Sequence, residues 1–125
     1  HETVEAREHY VRQEGKQVFK YAVRRMSEVP AMVLERNGLK PADLDLFVPH
    51  QANSRIINFA ADRLGIPKER MVANITHFGN TTAGTIPIAL SDSVEKGRLK
   101  KGDLVCMISV GAGYTTGCIL TRWAY

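Results

Sequence analysis

Two side chains that can each donate a hydrogen bond, His50 and Asn80, stand where the chain is otherwise turning between apolar runs. His50 lies in PHQAN, directly after the apolar residues 44–48 (LDLFV). Asn80 sits between Gly79 and a Thr-Thr pair, at the mouth of the run TIPIAL. A third loop, Gly111-Ala112-Gly113, offers backbone N–H groups, and its glycines allow close approach and φ > 0. An imidazole N–H and a carboxamide N–H aimed at one oxygen would stabilise an enolate or a tetrahedral oxyanion, and the glycine-rich turn could serve a second oxyanion. An unpaired buried carboxamide costs about 1–3 kcal/mol, so Asn80 needs a partner or a purpose.

Each of these residues also has a plainer reading. His50 could cap a helix or be a satisfied core histidine, and Asn80 could be an ordinary turn residue. The Gly-Ala-Gly stretch could be no more than a tight turn. His77 rivals His50 by position, and the residue pattern does not separate them. GAGYTTG mimics a dinucleotide fingerprint, but the pattern after it predicts a strand where that motif needs a helix. Cys106 lies inside the apolar run 104–110 (LVCMISV), four residues before its end, and is a poor nucleophile. Neither CxxC nor paired histidines occur at ligand spacing, so no metal is expected.

The elements that must hold these groups are legible as an alternation. Strands are expected over residues 44–48, 71–75 and 104–110, with a return strand over 114–121 and a short strand over 9–13. Val18, Ala22 and Met26 recur at helical spacing; Ser27 then reads as the cap of a second helix that tolerates Pro30 in its first turn and runs to Arg36. Residues 53–64 form an amphipathic helix stopped by Gly65, and residues 82–96 form another, capped by Thr81 or Thr82 and stopped by Gly97. Strand, helix, strand, helix, strand implies an α/β fold with a mixed, mostly parallel five-stranded sheet. Loops after parallel strands converge, so His50, Asn80 and residues 111–113 are candidates for one site. The helix at 82–96 is apolar all round in its first half, which predicts cover on two sides and something beyond this chain to supply it.

Composition bounds the rest. The 125 residues suit at most one domain or a piece of one, and the 44% apolar fraction allows a packed core. Net charge is +4, but the basic residues are scattered without interleaved aromatics, which argues against nucleic acid. No run of about 18 apolar residues and no secretion signal is visible, so a membrane span is not expected. Two thiols, Cys106 and Cys118, in apolar surroundings fit the reducing cytoplasm. The first residue is His1, so the chain is expected to begin inside a longer protein or after a cut; residues 1–8 (HETVEARE) read as a linker, with one domain over 9–125.

The stretches VPHQAN (48–53), HFGNTTAGTIPIAL (77–90), EKGRLKKGD (95–103), SVGAGYTTGCILTRW (109–123) and GKQVFKYAVRRM (15–26) resemble the C-terminal half of β-ketoacyl-acyl-carrier-protein synthase III. PHQAN followed by GNT about 25 residues later is a specific pair. The resemblance implies a thiolase-like α-β-α-β-α fold of two similar halves, which would bury the helix at 82–96 between two sheets. It implies a decarboxylating Claisen condensation of an acyl-CoA with malonyl-acyl-carrier protein, without a cofactor, in a homodimeric cytoplasmic enzyme. The family's histidine and asparagine fall on His50 and Asn80, which sets His77 aside, and the imidazole is expected neutral with Nε2 protonated. The second oxyanion donor falls on the backbone of Ala112, often glycine in the family, flanked by Gly111 and Gly113. Asn53 matches a residue contacting the pantetheine arm. Arg55 matches a basic residue at the carrier-protein docking surface, which Arg63, Lys68 and Arg70 could extend. The family's nucleophilic cysteine belongs to the N-terminal half, and neither Cys106 nor Cys118 matches it, so this chain alone is expected not to form an acyl-enzyme. A related starter synthase of polyketide or alkylquinolone type, and a non-catalytic carrier-docking half, are the alternatives.

Overall fold

A four-residue strand, β1 (Leu46–Pro49), carries the first candidate residue at its end, and its neighbours explain how it is held. The computed structural model describes residues 1–10 and 13–125. β1 runs parallel to β2 (Leu104–Gly111), with Pro49 opposite Ile108, and β2 pairs antiparallel with β3 (Thr115–Arg122). Among the described residues the sheet has three strands in the order β1-β2-β3, fewer than the five expected. The strand expected at 9–13 crosses residues outside the described ones.

The expected strand at 71–75 reduces to one bridge between Phe47 and Met71, followed by a helical turn, α4 (Ile75–Phe78). The reason lies in Gln51. Its buried amide donates to Pro49 O at 2.8 Å and Val72 O at 3.1 Å, and its carbonyl accepts from the N–H groups of Asn74 at 2.9 Å and Ile75 at 3.2 Å. A side chain therefore takes the hydrogen bonds a neighbouring strand would have made, and β1 is free to turn away at Pro49.

Helices pack on both faces of the sheet, but the face toward Ala89 is left open along β3. Phe47, Leu104, Cys106 and Ile108 face α2 (Gly15–Arg36) and α3 (Ser54–Leu64), burying Ala22, Met26, Leu34, Ile57 and Ala60. Leu46, Val48 and Val105, alternate residues on the same strands, face Ala89 of α5 (Thr85–Glu95) together with Val72 and Leu99. α2 is one continuous helix, not the two expected around Ser27. The Ser27 hydroxyl bonds back to Val23 O and Arg24 O, so it caps nothing, and Pro30 is buried inside the helix. The apolar face formed with Ala22, Met26, Val29 and Leu34 outweighs the roughly 3 kcal/mol an interior proline costs. α3 behaves as expected, ending at Gly65 in the left-handed conformation (φ 67°). Residues 1–8, expected as a linker, hold one helical turn, α1 (Glu2–Glu5), with no buried residue.

α5 starts at Thr85, after a 3-10 turn over Thr82–Gly84. Its Ala89 is buried on the sheet, while Ile86, Ile88 and Leu90 are half-buried and Val94 is exposed. The apolar girdle read in the sequence is thus covered on one side only within this chain.

Candidate active site

His50 is fixed by its backbone before its ring makes any contact. Its N–H donates to Ile108 O at 2.7 Å, continuing the β1–β2 ladder by one residue, and its carbonyl accepts from Ala52 N at 2.9 Å. The ring therefore leaves the carboxyl end of β1, beside the end of β2 and just before the start of α3. It is half-buried, and that burial pushes its pKa below the ordinary 6.5, so the imidazole is neutral near pH 7. Its Nδ1 lies 2.6 Å from the hydroxyl of Thr85, itself buried at the first residue of α5.

From Thr85 the contacts lead to Asn80. The Thr85 hydroxyl reaches Thr82 O at 3.1 Å, and Thr82 N–H donates to the Asn80 side-chain carbonyl at 3.0 Å. His50, Thr85, Thr82 and Asn80 thus form one series of close polar contacts across two loops. Asn80 is exposed, and with its oxygen engaged its Nδ2 donors remain for a ligand. Two backbone features fix this loop. Gly79 has φ 71° and ψ −170°, and Thr82, a β-branched residue, has φ 53°. His77 stands apart: it is exposed on α4, with Nδ1 3.2 Å from Thr76 Oγ1.

The glycine-rich turn follows β2 directly. Gly111 is extended (φ −137°), Gly113 is left-handed (φ 73°), and Ala112 O accepts from Thr115 Oγ1 at 3.1 Å. Tyr21 of α2 ties this turn down from the far side of the sheet. Its phenol donates to Tyr114 O and lies 2.9 Å from Thr116 Oγ1, and its ring meets that of Tyr114 edge-on with centroids 4.8 Å apart. Tyr114 takes φ 55°, unusual for a residue with a side chain, so the turn is held in a conformation the chain would not choose unaided.

Asn53 caps α3, its Oδ1 accepting from Arg55 N at 2.9 Å, which leaves its Nδ2 for any ligand. Arg55, Phe59 and Arg63 occupy one exposed stripe of α3 at four-residue spacing, with the Arg63 guanidinium 5.9 Å from the Phe59 ring centre. Arg70 does not extend that stripe, because its guanidinium is tied to Ala42 O at 2.8 Å and Leu44 O at 3.1 Å. Cys106 and Cys118 are free thiols with sulfurs 3.6 Å apart; the contact with Cys118, then burial, pushes the Cys106 thiol up. Sequence reasoning missed Gln51, Thr85 and Tyr21. Gln51 sits in a quoted motif, but nothing in the pattern marks it as a substitute strand. Thr85 and Tyr21 act over 35 and 93 residues, distances that local pattern does not span.

The family model for 3-oxoacyl-acyl-carrier-protein (ACP) synthase III C terminal matches residues 34–123. The chain belongs to this family. It is 61% identical over all 125 residues to the β-ketoacyl-acyl-carrier-protein synthase III of Solibacter usitatus, but spans only 38% of that relative's length. The crystal structure of the synthase III from Aquifex aeolicus superposes with a TM-score of 0.88 at 49% identity, over 91% of this chain and 37% of that one. The priming β-ketosynthase of the R1128 polyketide pathway matches with a TM-score of 0.78 at 37% identity, over 89% of this chain and 34% of that one. These neighbours show the fold as the thiolase-like α/β type expected from the sequence.

Proposed function

We propose that this chain is the enolate-stabilising half of a decarboxylating condensing enzyme. Such an enzyme joins an acyl group from acyl-CoA to malonyl-acyl-carrier protein, giving 3-oxoacyl-carrier protein and starting fatty-acid synthesis. The observation that carries this reading is the series of close polar contacts from His50 to Asn80. It sets a neutral imidazole and a carboxamide in one network, each with a nitrogen left over. Loss of CO₂ from a malonyl thioester moves negative charge onto the thioester oxygen. Two fixed N–H donors, from His50 Nε2 and Asn80 Nδ2, stabilise that charge before the carbanion attacks. The backbone N–H of Ala112, between Gly111 and Gly113, serves the second oxyanion, formed when the acyl thioester is attacked. Every stabilising group is a hydrogen-bond donor, so the chemistry calls for no metal or other cofactor.

The remaining roles extend the same reading. Asn53 Nδ2 contacts the pantetheine arm as it passes the start of α3. Arg55 and Arg63 receive the acidic carrier protein, with Phe59 between them as an apolar contact. The acyl-accepting cysteine comes from an N-terminal half of the same enzyme, which also covers the open side of α5. The whole assembles as a cytoplasmic homodimer; neither nucleic acid nor a membrane takes part. Among the described residues no helix is long and apolar enough to cross a membrane.

The test is acyl transfer from labelled acetyl-CoA. The 125-residue chain alone is expected to take up no label as thioester. The same chain joined behind the N-terminal portion of the Solibacter usitatus relative is expected to take it up in that portion. A thioester on Cys106 or Cys118 contradicts the reading. The polyketide match supports a second reading, a starter-unit synthase with the same half-site. Product analysis of the joined protein with acyl-CoAs of different length separates the two.

A further inference from the structure

The Thr85 hydroxyl carries one proton and has two neighbours able to accept it, His50 Nδ1 at 2.6 Å and Thr82 O at 3.1 Å. The choice decides what the far side of the imidazole can do. If the proton goes to Thr82 O, the hydroxyl oxygen must accept from Nδ1–H, and a neutral ring then shows a bare Nε2. If the proton goes to Nδ1, Nε2 carries the ring's hydrogen and becomes a donor. The 2.6 Å contact fits a hydrogen bond in either direction, and half-burial of His50 disfavours a ring protonated on both nitrogens, so a ring that donates through Nε2 must accept at Nδ1, where the Thr85 hydroxyl stands. Thr85 is itself 2% exposed, so water does not compete for its hydroxyl.

We propose that Thr85 donates to His50 Nδ1 and holds the ring in its Nε2–H tautomer, making Thr85 a positioning residue for decarboxylation. This rests on the enolate-stabilising role of His50. It adds that the role depends on a hydroxyl at the first residue of α5, 35 residues away in the chain. With its proton on Nδ1, the hydroxyl no longer donates to Thr82 O, so Thr85 sets the ring and Asn80 is left to the Thr82 N–H.

The test uses the joined protein described above, with malonyl-carrier protein as substrate and the His50 tautomer read from ring ¹⁵N shifts. Thr85→Val keeps the shape and removes the proton; Thr85→Ala serves if the methyl crowds the turn; Thr85→Ser keeps the hydroxyl. Thr85→Val is expected to lower kcat by about 10²-fold with KM little changed, the loss typical of one oxyanion donor, and to show a bare Nε2 in a substantial share of rings. Thr85→Ser is expected to stay within about threefold of the parent and to keep the Nε2–H tautomer. An unchanged tautomer in Thr85→Val, or equal losses in the Ser and Val variants, overturns the assignment of Thr85 alone. An unchanged kcat in a parallel His50→Ala variant overturns the role of His50 and, with it, the catalytic part of this inference.

Discussion

His50 shows how much a residue's chemistry owes to its neighbours. Its backbone extends a ladder, its Nδ1 meets a buried hydroxyl, and its surroundings keep it neutral. Because burial holds its pKa below 6.5, the decarboxylation rate should fall with the slope of a single proton and a midpoint below pH 6.5. A midpoint above 6.5 in the pH–rate profile would contradict this. Gln51 makes a second prediction at this scale. Gln51→Leu would leave two N–H groups and two carbonyls around it without partners. It should cost about 3 kcal/mol or more in urea unfolding, well beyond the loss of a single surface hydrogen bond. Residue types and order alone brought His50, Asn80 and the turn at 111–113 forward as one candidate group. They left His77 as a rival, because two histidines after two expected strands look alike until one strand proves to be a single bridge.

At the scale of elements, the site depends on chain reversals more than on long regular runs. Gly79 precedes Asn80 with φ 71° and ψ −170°, a combination that strains any residue with a Cβ. Gly79→Ala should cost about 1–3 kcal/mol in stability, and its activity loss should exceed that of an equally destabilising change on α2, because Asn80 would be displaced. Equal losses in the two variants, at matched stability, would remove Gly79 from the account. The periodic parts were legible: α3 and the return strand β3 appear where apolar spacing puts them. Two elements were misread for identifiable reasons. Pro30 reads locally as a break, but the buried face of α2 carries the helix through it. Residues 71–75 read as a strand because Met71, Val72 and Ile75 are apolar and two of them β-branched, and nothing local shows that a glutamine amide takes the place of the neighbouring strand.

For the whole molecule, the open side of the sheet and of α5 is the informative surface. Ile119, 60% exposed, pairs with Met107 on the face opposite Cys118 and Leu120, and Phe78 and Val94 are also exposed. Single exposed apolar residues are ordinary, but here they flank a helix whose sequence already asked for cover on two sides. In the joined protein, Ile119→Asp should therefore weaken the contact between halves, lowering the urea midpoint by an amount equivalent to about 1–3 kcal/mol. An unchanged midpoint would place the N-terminal half elsewhere. Reversing the charges of Arg55 and Arg63 on α3 to Glu should raise KM for the carrier-protein substrate and flatten its salt dependence, while leaving kcat nearly unchanged. Equal KM values at low and high salt in the parent would count against that surface. The most direct measurement is CO₂ release from malonyl-carrier protein by the joined protein, compared with its His50→Ala and Asn80→Ala variants. Each substitution is expected to slow release by about 10²–10³-fold, the loss typical of one oxyanion donor. Release within about twofold of the parent in either variant would contradict the claim that these two side chains share the enolate's charge.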